Sequence, residues 1–479
     1  MKPLITALVA CSLLSAPITA PVHASGVPDL GDSAQQVLSR KAEQALGDSI
    51  MAEIRMDSAV IDDVEARDYL NRLGNRLASV SNDRHQRFEF FVVNDATLNA
   101  FALPGGYIGV HTGLIATTQS ESELAAVLSH EIAHVTQRHI SRFLEKDQNM
   151  GMASLALLAI GILAASKGGP VPEAVIATSQ ALQIQGKINF TRTHETEADS
   201  VGMQYLAAAG FDPHAMPAFF GRMEKAARVY GEGAPVYLRT HPLESTRLAE
   251  SANRADQYPY KQVAESIEFH LVRERLRALN GSESTQISYF ENALKERRFN
   301  LEAASQYGLA VALLRNGQAV RAQQALDQAR KQLKHPMLES LAAEILIKQG
   351  KLDAAGKVYE TALSNTPNHV GLNYGLIRCR LLQKRAVDAE HLASAQIEAR
   401  SSNGPFYALL SEAYAQQGNE AAARQAQAEF YYRQGQLKEA IVQLQLALQV
   451  KGLDFYRQAG VEARLKEWQA EQELIKAKS

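Results

Sequence analysis

Apolar residues along this chain follow several rhythms. Between residues 30 and 80 they recur at helical spacing, as in Tyr69, Leu70, Leu73 and Leu77, and the stretch reads as helices. From Phe88 to Val93 the run Phe-Glu-Phe-Phe-Val-Val reads as a strand. Asn99 to Val110 follows, with Pro104-Gly105-Gly106 marking a turn between two short extended pieces. The edge of such strands could accept an extended peptide as one more strand. A plain structural hairpin fits the same residues. Ser120 and Glu123 form a candidate capping box, in which each side chain satisfies a backbone donor at a helix start. Leu124, Leu128, Ile132 and Val135 then make one apolar stripe expected to face the core, which leaves His130 and His134 directed toward a cleft.

Residues 150–165 are a run of apolar and small residues. As a helix this run measures about 24 Å, short against the roughly 30 Å of bilayer hydrocarbon. Three readings fit: a buried or lid-like helix over an active site, a peripheral membrane contact, and a membrane span. Lys167-Gly168-Gly169-Pro170 then breaks the pattern. From about residue 285 glycine and proline become rare. The turns Asn316-Gly317-Gln318, Gln349-Gly350-Lys351, Gln383-Lys384-Arg385 and Gln417-Gly418-Asn419 are spaced 33, 34 and 34 residues apart, centre to centre. That period matches tetratricopeptide repeats, stacked helical hairpins of about 34 residues. Gln434-Gly435-Gln436 follows half a period later, and Pro367 falls near a repeat end. Lys384 departs from the glycine pattern, so a local distortion is expected there.

Composition narrows the picture. The chain has 479 residues, room for two or three domains, and a net charge of −2 that offers no basic field for nucleic acid. Its N-terminus reads as a secretory signal: Lys2, an apolar stretch from Leu4 to Leu14, then Val22-His23-Ala24 before Ser25. A short anchor or a lipidated Cys11 are the competing readings. With Cys11 in the leader, Cys379 stands alone and no intramolecular disulfide can form.

His130-Glu131-Ile132-Ala133-His134 is an HExxH sequence. Residues four apart share a helix face, so both imidazoles can reach one metal ion. Glu131 is placed to take a proton from a water on that metal. Alone, the motif also arises by chance on surface helices. A third ligand is required, and Glu195-Thr196-Glu197-Ala198-Asp199 lies downstream on a helix expected to end near Gly210. A carboxylate there completes a His₂Glu set with the fourth position open. Asp199, one turn from Glu195, could hold a ligand histidine by its other N–H. Glu197 is the rival ligand, pointing about 200° away on the helix.

HEIAH followed by ETEAD resembles the prenyl-protease-type zinc metallopeptidases, the peptidase family numbered forty-eight. The ExxxD pattern of that family makes its first Glu the ligand and so selects Glu195. Asn99 to Val110 with Leu114 is similar to the strand region before the family's zinc helix. Thr240-His241-Pro242, with Arg247 beyond, is similar to another motif near its active site. The resemblance covers roughly residues 50–255. It implies one Zn²⁺ per chain on His130, His134 and Glu195, with Glu131 as general base and Asp199 behind a ligand. The tetrahedral oxyanion needs a further donor, and His241 or Arg247 could supply it. His241 has two other readings: an inhibitory fourth ligand in the water's place, and a structural loop residue. His111, His139, His194 and His214 read as ordinary surface or core residues, and Tyr107 as packing.

The fold expected is an α-rich α+β zincin-like metalloprotease domain followed by an all-α tetratricopeptide-repeat solenoid. Its expected limits are 1–24 for the signal peptide, 25–270 for the protease and 285–479 for the repeats. The whole chain is similar to a periplasmic, repeat-bearing branch of the family in Gram-negative bacteria. This resemblance implies a periplasmic zinc endopeptidase that degrades misassembled outer-membrane β-barrel proteins and assists their assembly. Its expected partners are unfolded protein substrates, β-barrel proteins and the barrel assembly machinery, engaged through the repeats, and the lipopolysaccharide-transport barrel. Two rival readings remain: a repeat-based chaperone or scaffold with a mostly latent protease site, and a membrane-embedded protease anchored by residues 150–165.

Overall fold

The computed structural model describes residues 38–56, 59–83, 85–146, 192–230, 236–243, 245–399 and 404–476. The expected leader and the apolar run at 150–165 lie outside the described residues. No described helix is long and apolar enough to cross a membrane.

Short polar residues start the first helices. Ser39 Oγ accepts from Ala42 N–H at the start of α1 (Arg40–Arg55), and the Asp63 carboxylate accepts from Ala66 N–H at the start of α2 (Val64–Ala78). A four-stranded sheet of β1 (Val60–Ile61), β2 (Glu89–Val93), β3 (Ala100–Leu103) and β4 (Tyr107–His111) runs in the order β1-β2-β4-β3. β2 and β4 are parallel, and the other pairs are antiparallel. A single 3₁₀ turn at Pro104–Gly106 joins β3 to β4, and Gly105 and Gly106 there hold φ of 78° and 83°, a region glycine enters without strain. In the strand order β3 is one edge of the sheet and β1 the other. The paired extended pieces around Pro-Gly-Gly are as the sequence suggested.

Helix α3 (Thr112–Thr117) leads into α4 (Glu121–Thr136), which carries HExxH. Ser120 Oγ accepts from Glu123 N–H at 3.1 Å, but the Glu123 carboxylate takes its return bond from Gln119 N–H at 2.7 Å, one residue earlier than a capping box places it. α4 differs from the expected one-sided helix, since Glu121 to Val135 are all buried. Among the described residues α6 (Arg192–Ala208) and β3 cover its histidine face, after the short α5 (His139–Lys146), so His130 and His134 are buried where the sequence suggested a cleft. Next come α7 (Ala215–Tyr230), α8 (Val236–Thr240) and α9 (Ser245–Ala255), then α10 (Ile267–Leu279), which packs on both α2 and α3.

The remaining chain is helical hairpins: α11 (Glu283–Lys295), α12 (Glu302–Arg315), α13 (Ala319–Gln332), α14 (Pro336–Lys348), α15 (Leu352–Asn365), α16 (Val370–Leu382), α17 (Ala386–Ala399), α18 (Gly404–Gln416), α19 (Glu420–Arg433), α20 (Leu437–Leu448) and α21 (Phe455–Lys476). The expected turns close them. Gly317, Gly350, Gly418 and Gly435 all hold positive φ between 75° and 76°. Lys384 corrects the expected distortion. It holds φ 60°, and its turn makes the bonds Lys384 N–H to Leu381 O (3.0 Å) and Arg385 N–H to Arg380 O (2.9 Å), the pattern of the glycine turns. One apolar core runs without a break from α2 and the sheet, through α4, α6 and α7, into α10 and α12 to α14. The solenoid also folds back on the first helices. Gly371 of α16 sits against the Glu65 carboxyl of α2, and Arg55 of α1 donates to the Arg433 carbonyl (3.4 Å).

Candidate metal centre

Four buried side chains from three elements meet at one point. α4 supplies His130 and His134, α6 supplies Glu195, and the residue after α8 supplies His241. One donor atom of each lies within 4.8 Å of all the others. His130 Nε2 is 2.9 Å from His134 Nε2 and 3.3 Å from His241 Nδ1. The Glu195 carboxylate is 3.5 Å from His130 Nε2, 3.4 Å from His134 Nε2 and 3.2 Å from His241 Nδ1. Lone pairs aimed at a shared point repel one another unless a cation lies between them. Three imidazoles and a carboxylate are also a donor set that suits a four-coordinate divalent metal.

Local packing explains the convergence. α6 can approach α4 because Gly202 faces the backbone of Ser129 and His130, where a Cβ would come within 3.0 Å. His241 is placed by a chain of backbone bonds: its N–H donates to Tyr237 O (2.8 Å), and Tyr237 N–H donates to Leu98 O (2.9 Å), just ahead of β3. The Tyr237 ring packs on His241 at 4.7 Å between centroids. Its hydroxyl is buried in the site with no hydrogen-bond partner among the described residues.

A second ring of groups orients these four. His130 Nδ1 faces Asp199 Oδ1 at 2.9 Å. Arg247 grips Asp199 with two donors, Nε (2.8 Å) and Nη2 (2.9 Å), while its Nη1 lies 3.0 Å from Glu195 and 2.6 Å from Pro242 O. Glu131 lies beside the group, 3.4 Å from His241 Nε2, and the Ala102 N–H of edge strand β3 donates to its carboxylate.

Charge is distributed unevenly here. Burial resists charge on Glu195, but His241 and His130 hold its carboxyl well below the usual range. Burial likewise works against Asp199, which His130 and Arg247 keep low. Burial drives His134 well below its usual value, so it is a neutral imidazole, the form that binds metal. His130 is pushed up to about 10, against the effect of burial, by Asp199 and Glu195, a measure of how strongly that pocket attracts positive charge. Burial raises the Glu131 carboxyl, opposed by His241 and His130.

Glu197 lies away from the four donors. Its carboxylate is 3.3 Å from His139 Nε2 and 2.9 Å from Arg142 Nη1. Two histidines expected to be ordinary are neighbours of the centre. His139 Nδ1 lies 2.8 Å from His134 Nδ1, and His194 stacks on His139 at 4.5 Å. The sequence signal for His139 was a third histidine five residues after the motif, and helical spacing gives it no reason to return; His194 stood out only as the neighbour of Glu195. Tyr237 gave no signal at all. His111 bonds Thr97 and His214 bonds Asp212, both away from the centre, and Tyr107 packs with its hydroxyl on Asp48.

Comparison with known proteins places these observations. Residues 65–255 match the model of peptidase family M48, and residues 346–407 match a tetratricopeptide repeat. A Vibrio cholerae relative is 34% identical over 93% of this chain and 93% of its own length. The beta-barrel assembly-enhancing protease of Escherichia coli is 33% identical, over 95% of this chain and 93% of its own. The mitochondrial metalloendopeptidase OMA1 of Arabidopsis thaliana is 30% identical over 48% of this chain and 45% of its own length.

Proposed function

We infer the chemistry of the centre from the four converging donors and from the family: this chain belongs to the beta-barrel assembly-enhancing proteases of peptidase family M48, and it is a metalloprotease with tetratricopeptide repeats. The proposed metal is zinc, one ion per chain, held by His130, His134 and Glu195. When bound, zinc supplies Lewis acidity toward water and toward the scissile carbonyl. Glu131, buried beside the donors, takes the proton of the attacking water and passes it to the leaving amine. A raised carboxyl pKa suits that shuttle, since the proton must be both accepted and released. Asp199 fixes the His130 ring, and the bidentate Arg247 fixes Asp199. For the oxyanion, His241 and Arg247 remain the candidate donors. The engagement of Arg247 with Asp199, Glu195 and Pro242 O favours an orienting role for it. Substrate backbone is proposed to pair with the outer edge of β3, which presents Ala102 next to Glu131.

His241 carries the second reading. Its Nδ1 lies among the donors, 3.3 Å from His130 Nε2, which supports an inhibitory fourth ligand and a protease that is latent until the loop at 241 withdraws. Such latency fits a periplasmic protein that assists outer-membrane β-barrel assembly and degrades only failed substrates. The relatives' names and the N-terminal leader pattern support that placement, and the repeats are the proposed docking surface for protein partners.

The site reading is tested by metal analysis of the purified full chain beside His130→Ala and Glu195→Ala. Zinc lost from both is expected, and zinc unchanged in both overturns the assignment. Glu131→Gln should keep its zinc and lose roughly 10²–10⁴ in cleavage of an unfolded protein substrate. His241→Ala should cleave faster than the parent if it gates the site, and a large loss of cleavage would refute the gate.

A further inference from the structure

We propose that His139 and Glu197 are positioning residues that fix the proton and the ring plane of His134. This rests on the metal-centre reading above and extends it to the face of His134 turned away from the metal.

The chain takes an unusual path to bring His139 there. Five residues past His134, a continued helix would carry residue 139 off to one side. Instead α4 ends at Thr136 with Gln137 as its cap, and Arg138 adopts φ 54°, a left-handed conformation. The buried Arg138 guanidinium is held by Leu38 O (2.5 Å), Ser141 Oγ (3.3 Å) and Glu43 (3.4 Å). This reversal delivers His139, fully buried, so that its Nδ1 lies 2.8 Å from His134 Nδ1.

Two ring nitrogens at that distance share one hydrogen. His134 Nε2 faces His130 and Glu195, so its lone pair is needed there and its hydrogen belongs on Nδ1. His134 Nδ1–H therefore donates to His139 Nδ1. The hydrogen of His139 is then on Nε2, and Glu197 Oε2 waits 3.3 Å away to accept it. Arg142 anchors that carboxylate at 2.9 Å, and His194 stacks on the His139 ring with an interplanar angle of 21°. Each ring carries one hydrogen, and the relay needs no titration to work. It parallels the Asp199–Arg247 support behind His130, with a histidine inserted between ligand and carboxylate.

The relay is tested on the full chain with His139→Phe, His139→Asn and Glu197→Gln. Phe keeps the ring and its stacking but removes the acceptor, whereas Asn returns an acceptor oxygen near the imidazole Nδ1 position. Zinc affinity is read by chelator competition, and ligand geometry by the visible spectrum of the cobalt(II)-loaded proteins. His139→Phe should bind zinc about 10- to 100-fold more weakly with an altered cobalt spectrum. His139→Asn should recover most of the affinity, and Glu197→Gln should shift the spectrum in the direction of His139→Phe. Parent-like affinity and spectrum in His139→Phe would overturn the relay, and so would equal losses in Phe and Asn, the mark of simple packing. A parent chain that bound no zinc would show instead that the metal-centre reading had failed, and the relay with it.

Discussion

A methyl group on residue 202 would lie 3.0 Å from the backbone nitrogen of His130 and from the Ser129 carbonyl. Gly202 thus sets the spacing between the helix that carries two donors and the helix that carries Glu195. Gly202→Ala should push them apart by a few tenths of an ångström. Overpacking of this kind costs about 1–3 kcal/mol, and the displaced Glu195 should weaken zinc binding. Urea unfolding with chelator competition checks both effects. Parent-like zinc affinity in a destabilised variant would mean that the donors tolerate the shift. Neighbouring positions differ in how readable they were. His130, Glu131 and His134 were legible because spacing on one helix is local. Asp199 was legible at one remove, from its place one turn beyond Glu195. His139 and Tyr237 were not, because each reaches the centre through a chain reversal or a distant contact.

Turns obey rules that local sequence carries more fully. The Gln-Gly-Lys and Gln-Gly-Asn signals fall on hairpin turns with left-handed backbone, because only glycine adopts that φ without cost. Lys384 holds the same conformation at φ 60° with a side chain that opposes it. Lys384→Gly should therefore stabilise the chain by about 0.5–1 kcal/mol, the relief of strain less the added freedom of the unfolded chain. A shift of the urea midpoint to higher denaturant with an unchanged slope is the expected result, and a shift to lower denaturant would show that the Lys384 side chain stabilises the turn. Helix α4 was less legible. Its apolar stripe was visible, but the burial of its histidine face depends on α6 and β3, which arrive from elsewhere in the chain.

Where the repeats meet the protease, charge is buried between them. Arg275 on α10 lies 2.8 Å from Asp63 and 3.2 Å from the Tyr307 hydroxyl, with Glu344 of α14 at 3.8 Å. Glu65 sits alongside, its carboxyl filling the space a Cβ on Gly371 would take, with His369 at 3.6 Å. Burial pushes Glu65 from 4.5 up to about 8, with Arg275 opposing and Asp63 and Glu344 adding to the rise. The folded chain keeps a proton there that the unfolded chain releases as pH passes 4.5. The stability from this group is then complete below about 4.5 and is lost as pH rises to about 8. Urea unfolding between pH 5 and pH 8.5 should show that decline in the parent and a flatter profile in Glu65→Gln. An identical slope in both would remove Glu65 as its source.

What could be read in advance was whatever depends on near neighbours along the chain: the HExxH face, the ExxxD turn, the Pro-Gly-Gly reversal and the 34-residue rhythm of the hairpins. Helical and turn geometry act over a few residues, so their signatures survive in order and spacing alone. What waited for the folded chain was which side chains come to share one buried volume: His241 beside the donors, where the sequence left three readings open, Arg247 on Asp199, His139 behind His134, and Glu65 against Gly371. Those pairings are separated by up to 306 positions (65 to 371), and no local preference encodes them. They follow from how helices and strands must stack to hide their apolar faces, a balance struck by the chain as one body.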